Sequence, residues 1–395
     1  MSVFVVTLLS SVTSTLFLYA LQAATLFRQD HPALIYLLPL AGALVGAFYA
    51  SRFGSTVEAG TQLVIEEIHQ PLRSLPRRMT LSIFVSSVIT HLFGGSAGRE
   101  GTAVQMGASL ADTVARFFSK QGDDRRTLLL CGLGTGFASV FGTPWAALVF
   151  ALEIVGWHRT EFRRQSRAMF LRFAWVAAAS MLSSRLPVLL GIHRESIMID
   201  EIPLLSMALL GRVFILGIGF GVVALLFLEL LHGLSKVFKK ISKSAPIRCA
   251  LGGLVLLGFV LMLGPTSRRF LGLSDGLIEA AFHNPLPATD WLWKNFLTAL
   301  TLGSGFKGGE VTPLFCIGAT LGNALSPLLH LPLAFAAALG FVSVFAGAGQ
   351  IALTCTVLAW EIFGWKVALY ATVTTFISQF ICGRRHHGIY SRHKH

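Results

Sequence analysis

Apolar residues run along this chain in long blocks, broken by single glycines and short basic clusters. Residues 1–27 carry no charged side chain, and neither do 173–184 or 213–228. Such blocks lie near 3–27, 32–50, 79–93, 126–141, 144–157, 168–190, 205–235, 247–265, 290–303, 332–348, 350–364 and 366–383. A helix needs about 20 apolar residues to cross a bilayer core, and fewer where it is buried in protein. Several blocks are too short to cross alone. Short apolar helices interrupted by glycine predict segments that enter the membrane and stop at the centre of the protein. The pattern therefore predicts an all-α polytopic membrane protein.

Composition agrees. The 395 residues are 54% hydrophobic and 13% charged, against about 25% charged in a soluble domain. The first block has no basic leader and no small-residue cleavage site before Arg28, so it reads as a span and not as a signal peptide. The net charge of +13 sits in short loops: Arg73, Arg77 and Arg78; Arg159, Arg163, Arg164 and Arg167; Lys236, Lys239, Lys240 and Lys243; and the tail from Arg384. Positive-inside topology accounts for these clusters and places both termini and the 51–78 loop in the cytoplasm, with no nucleic-acid partner. Cys131, Cys249, Cys316, Cys355 and Cys382 are scattered without ligand spacing, so neither a metal site nor a disulfide framework is expected. Without a linker or soluble insert, residues 1–395 read as one membrane domain.

Two stretches recur. Gly98-Arg99-Glu100-Gly101-Thr102 and Gly308-Gly309-Glu310-Val311-Thr312 are offset by 210 residues. The blocks that follow, Gly107-Ala108-Ser109-Leu110 and Gly318-Ala319-Thr320-Leu321, are offset by 211. Ala151-Leu152-Glu153-Ile154-Val155-Gly156-Trp157 returns as Ala359-Trp360-Glu361-Ile362-Phe363-Gly364-Trp365, offset by 208. Blocks in one order at nearly one offset indicate duplication, with repeats at about 30–190 and 205–391. Transporters built from repeats hold their sites at the midplane, where interrupted helices meet.

The glycine-rich blocks carry the candidate chemistry. Gly94-Gly95-Ser96-Ala97-Gly98-Arg99-Glu100-Gly101 opens the apolar segment 102–117. A glycine loop before a helix exposes backbone N–H groups, and the helix dipole adds positive charge at that end. Inside a bilayer those donors need a partner. An anion satisfies them, and so does a carboxylate standing in for one. Glu100 suits that role, since it blocks the site when ionised and is free to swing away when protonated; an intramembrane acid is a functional candidate by default. The competing reading is a structural glutamate paired with Arg99. A nucleotide loop is excluded by the absence of a GK[ST] ending.

Gly303-Ser304-Gly305-Phe306-Lys307-Gly308-Gly309-Glu310-Val311-Thr312-Pro313 opens the matching second-half helix, with Pro313 placed in its first turn. The N–H groups of Val311 and Thr312 are expected to face the same centre as those near Glu100, and the Thr312 hydroxyl adds a donor. Glu310 reads as a second embedded acid, or else as a cap or a salt-bridge partner of Lys307. Glu153 and Glu361 read as interfacial caps beside tryptophan anchors.

These motifs resemble the CLC family of chloride channels and proton-coupled antiporters. The likeness rests on Gly98-Arg99-Glu100-Gly101, Gly309-Glu310-Val311-Thr312-Pro313, the block from Thr143-Pro144-Trp145 to Leu152-Glu153, and the end from Gln379-Phe380 to Gly388-Ile389-Tyr390. It covers about residues 35–391. The resemblance implies a CLC-type inverted-repeat fold and a homodimer with one pore per subunit. It implies Glu100 as the gating glutamate, and Tyr390 as the residue whose hydroxyl contacts the anion. It implies no enzyme activity and no cofactor, and, with the chain ending soon after Tyr390, no cytoplasmic regulatory domain.

Departures from the chloride-selective pattern bear on the substrate. A Gly-Ser-Gly-Ile-Pro motif is expected near Gly60, but the window reads Glu58-Ala59-Gly60-Thr61-Gln62-Leu63. Thr102 replaces a proline, and Val311 replaces a phenylalanine. These changes are similar to the fluoride-exporting CLC-F branch. By that likeness Glu100, Glu310, Thr312 and Tyr390 line the pathway, with Gly98, Arg99, Gly101 and Val311 around the anion. Thr61 is the candidate at the missing-serine position, or else a cap on 62–69. Ile154 stands where chloride antiporters carry an internal glutamate. The resulting expectation is fluoride–proton exchange in a bacterial inner membrane, with a chloride channel or chloride–proton exchanger as the alternative. A membrane enzyme using Glu100 or His91 lacks any nucleophile–base or metal spacing. His386, His387, His393 and His395 read as solvated tail residues.

Overall fold

The structure, a computed structural model, describes the chain except residues 52–53, 59, 70–73, 156–165, 193–196, 386–387 and 391–395. Arg73, the basic residues of 159–164, Gly156 with Trp157, and the four tail histidines fall outside the described residues. The first half forms α1 (Ser2–Asp30), α2 (Leu38–Ala50), α3 (Thr61–His69), α4 (Met79–Leu92), α5 (Glu100–Phe117), α6 (Gly122–Phe141), α7 (Pro144–Val155) and α8 (Ser166–Leu189). The second forms α9 (Met207–Ile241), α10 (Ala245–Leu263), α11 (Asp275–His283), α12 (Asp290–Ser304), α13 (Val311–Leu325), α14 (Leu333–Gly349), α15 (Ala352–Phe363) and α16 (Trp365–Gly383). The described residues contain no strand.

Among the described residues, four helical stretches are long and apolar enough to cross a membrane: Ser2–Asp30, Pro32–Ala50, Met207–Ile241 and Ala245–Phe270. The helices that carry the glycine motifs are shorter, and they are buried around their whole circumference. Almost every residue of α13 and α14 is buried. A polar helix end at such depth has only protein to satisfy it.

Small residues bring these helices together. A Cβ added at Gly107 of α5 would stand 2.1 Å from the carbonyl oxygen of Gly132 in α6. In the second half a Cβ at Gly318 of α13 would stand 2.0 Å from the carbonyl oxygen of Gly340 in α14. Only glycine permits that approach, and backbone-to-backbone contact is how helices gain packing energy in lipid. Both halves thus use the same contact at equivalent places.

The halves correspond beyond the motifs. α1 packs on α4, α5, α6 and α8, while α9 packs on α12, α13, α14 and α16. These are equivalent partner sets, so α1 is the counterpart of α9. The first repeated unit starts at Ser2, earlier than the expected start near residue 30. Because α1 and α9 share packing partners but no motif, the repeated blocks gave no sign of this pairing.

Glu153 and Glu361 join the repeats. The Glu153 carboxylate, on α7, accepts from Leu353 N (3.1 Å), Thr354 N (2.8 Å) and Thr354 Oγ1 (2.6 Å) at the start of α15. The Glu361 carboxylate, on α15, accepts from Trp145 N (3.1 Å) and Ala146 N (2.7 Å) at the start of α7. Each short helix caps the other, which is the exchange expected of two-fold-related elements. Both acids are caps, as expected, but each caps the opposite repeat. A helix end capped by a carboxylate gains from the dipole as well as from hydrogen bonds. Replacing either by alanine should lower stability by about 0.5–2 kcal/mol, the usual range for a lost N-cap. Glu153→Ala should cost more, because it loses three donors rather than two. Thermal unfolding in detergent measures both effects; equal transitions for wild type and Glu153→Ala would contradict this account.

Candidate functional site

The two glycine loops meet face to face. Gly98 N–H donates to the Gly309 carbonyl at 2.6 Å, and Gly309 N–H returns a bond to the Gly98 carbonyl at 2.8 Å. A Cβ on Gly98 would lie 2.8 Å from Pro313 Cδ, and one on Gly309 would lie 2.9 Å from the Gly101 nitrogen. The contact is too close for any larger residue. It fixes the start of α5 against the start of α13.

Glu100 is the first residue of α5 and is 2% exposed. Its carboxylate crosses to the amino end of α13. Oε2 accepts from Thr312 N at 3.0 Å and from the Thr312 hydroxyl by a short bond. Arg99 N donates to the same oxygen at 3.3 Å, and Arg99 Nε lies 3.5 Å from Oε1. The pairing with Arg99 exists, but it is the longer and more exposed contact. The seat itself belongs to the other repeat. Orphan N–H groups of a buried first turn need a negative acceptor, and here a carboxylate supplies one.

The repeat register differs from the sequence alignment. Arg99 is the N-cap of α5 and Glu310 is the N-cap of α13, so Glu310 is equivalent to Arg99. The equivalent of Glu100 is Val311, at an offset of 211 instead of 210. Helix starts, and not matching letters, set this register. Glu310 accordingly points elsewhere. It borders a cavity of about 300 Å³, and its Oε2 lies 3.2 Å from where a Gly101 Cβ would stand. No ion pair joins it to Lys307 among the described residues.

That cavity is also lined by Thr61, Thr102, Gln105 and Lys307. Thr61 is the first residue of α3 and accepts from Gln105 Nε2 at 2.6 Å. Thr102 is within 3.1 Å of the Ser87 hydroxyl. Gln105 was not a sequence candidate. A glutamine in the second turn of a largely apolar helix was the available signal.

A family model described as "Voltage gated chloride channel" matches residues 40–383. The chain belongs to this CLC family. It is 41% identical over 389 residues to a "Chloride/fluoride channel protein" of Pseudomonas syringae pv. tomato, covering 98% of this chain and 84% of that one. A solved CLC-type fluoride/proton antiporter superposes with a TM-score of 0.90 at 31% identity, covering 97% of this chain and 94% of that one. A slow cyanobacterial Cl⁻/H⁺ antiporter superposes at 0.83 with 21% identity, a likeness of fold.

Within this CLC fold the expected site residues divide. Glu100, Arg99, Val311 and Thr312 converge. Gly101 and Val311 lie in the first turns of their helices, where the helix provides no acceptor for their N–H groups. Gly98 does not fit its expected role, because its N–H is committed to Gly309 and is not available to an anion. Gly98 shapes the site by lacking a side chain. Tyr390 is buried, its ring edge-on to Phe150 (5.0 Å) and Phe345 (6.3 Å). Its hydroxyl has no hydrogen-bond partner among the described residues.

Behind the first glycine loop lies Lys294 of α12, with 0% exposure. Its ammonium directs three N–H donors among four oxygens: Ser96 Oγ (2.9 Å), Phe270 O (3.1 Å), Gly272 O (2.9 Å) and Ser274 Oγ (2.8 Å). Ser96 is tied further to Thr298 and Thr301. The loop that delivers Glu100 is therefore pinned to the second repeat. Lys294→Met should lower stability by about 1–3 kcal/mol, the cost of stranding buried acceptors. Unfolding in detergent tests this; a variant as stable as wild type would mean that Lys294 does not hold the loop.

Proposed function

We propose that this protein exchanges fluoride for protons across a bacterial plasma membrane, with Glu100 as the gate. The observation that carries the reading is the seat of the Glu100 carboxylate on Thr312 N and the Thr312 hydroxyl. A carboxylate held by an amide, a hydroxyl and a helix dipole marks a place where an anion is stable. Protonation would remove its charge and weaken its claim on those donors. The vacated donors would then take an inorganic anion. Fluoride is small and strongly hydrated, and it needs close donors in place of water. Thr312, the first turns of α5 and α13, and the Tyr390 hydroxyl are the groups proposed to supply them. Glu310, on the cavity, is proposed to pass protons toward Glu100.

The 41% identical relative and the 31% identical antiporter support fluoride as the substrate. Family likeness supports a homodimer with one pathway in each subunit. The second reading, a chloride channel or chloride–proton exchanger, draws on the chloride named in the same relative.

Glu100→Gln keeps the size of the side chain and removes its proton chemistry. Proteoliposomes of this variant should show fluoride-driven proton movement reduced to background, read by an internal pH probe beside a fluoride electrode. Full exchange by the variant would end the proposal. Chloride flux equal to fluoride flux in wild-type liposomes would favour the second reading.

A further inference from the structure

The cavity of about 300 Å³ lies toward the end of α9 that leads into Lys236–Lys243, since Leu228, Leu231 and His232 form part of its wall. The basic residues at the end of α9 and just after it put that mouth on the cytoplasmic side. Two carboxyl-bearing residues, Glu58 and Glu310, line it, and one lysine, Lys307.

Lys307 is held but not ion-paired. Its ammonium donates to the Glu58 carbonyl oxygen at 3.1 Å and stands 4.4 Å from the centroid of the Tyr49 ring. No ion pair joins it to any described carboxylate. An ammonium has three N–H donors, so two remain after the carbonyl bond. Lys294 is different, because four oxygens surround its charge. The carbonyl and the ring hold the Lys307 ammonium at the cavity wall, with two of its N–H donors left for a further acceptor. The setting also matters. A cavity bordered by two acids repels anions unless a cation offsets them. Lys307 lies three residues before Glu310 and four before Val311, on the loop that leads to the anion seat.

We propose that Lys307 recruits the transported anion into the inner cavity, raising its local concentration and passing it to the first turn of α13. The inference rests on the exchange reading of Glu100. A compact, strongly hydrated ammonium suits a small hard anion better than a broad guanidinium does. Its role is capture, so it should affect how much anion is needed and not the maximum rate.

Fluoride-dependent exchange in proteoliposomes tests this, with fluoride titrated on the cytoplasmic face. Lys307→Met should raise the half-saturating fluoride concentration about tenfold, the low end of what a focusing charge does in a cavity. The maximum rate should stay within about twofold of wild type, since uniform binding is what is lost. Lys307→Cys adds a chemical control, because the five native cysteines are buried. A membrane-impermeant thiosulfonate carrying a trimethylammonium group should restore the low half-saturation, and one carrying a sulfonate should not. The inference is overturned if Lys307→Met and Lys307→Cys keep wild-type half-saturation, or if both reagents act alike. It is also overturned if Lys307→Met lowers only the maximum rate. Failure of the exchange reading is separate: wild-type protein would then show no fluoride-coupled proton movement.

Discussion

Everything at the centre of this protein follows from two helix amino ends that meet where water is scarce. Each first turn carries N–H groups without intrahelical acceptors, and the aligned peptide dipoles add positive charge. Left alone in a bilayer such groups are costly. Glu100 resolves this by reaching from α5 to Thr312 on α13. Under the exchange reading the same physics makes the arrangement reversible. A group that satisfies the site only while charged is displaced when it takes a proton, and whatever replaces it must itself be an anion. Competition for one seat is therefore enough to tie proton binding to anion binding.

Such competition requires a frame that does not relax when the occupant changes. The chain provides one by making each repeat complete the other. Gly98 and Gly309 exchange backbone bonds, Glu153 and Glu361 exchange caps, and Gly107–Gly132 and Gly318–Gly340 form equivalent close contacts. The backbone bonds and the caps cross between the halves, each satisfying what the other leaves open, and the glycine contacts repeat one close approach inside each half. Lys294 adds a tie without symmetry, from α12 to the loop bearing Ser96. Under the exchange reading, none of these groups needs to move when Glu100 does.

Much of this was legible in the sequence because it depends on local rules. Glycine before a helix, proline in a first turn and an acid at the helix start are each readable one by one. Their recurrence at nearly one offset predicted that they converge. What the sequence concealed depends on three-dimensional register. The paired glutamates suggested that Glu100 and Glu310 are equivalent, yet the helices start one residue apart from that alignment. Gly98 looked like a donor, but its partner lies 211 residues away and takes its N–H. The reciprocal caps, the α1–α9 pairing and the Lys294 knot arise from packing between distant segments, and no local pattern marks them. Thr61 was ambiguous between a cap and a pathway residue. It begins α3 and also lines the cavity, bonded to a glutamine that carried no motif.

The offset between Glu100 and Glu310 has a mechanical consequence. Had the two acids been equivalent, each would sit on the opposite helix and two carboxylates would compete for one centre. The shift of one residue puts Val311, with no charge, at the place equivalent to Glu100, and turns Glu310 toward the cavity. One acid then faces Thr312 at the start of α13 and the other faces the cavity. The two remain neighbours, since Glu310 Oε2 approaches the Gly101 backbone immediately after Glu100. Under the exchange reading, protons and anions need not follow separate routes from the inner side. They share the cavity that Glu310 and Lys307 border, and they part only at the start of α13, where Glu100 accepts the proton and Thr312 accepts the anion. A duplicated fold with one residue of register difference thus provides asymmetric chemistry on a symmetric frame.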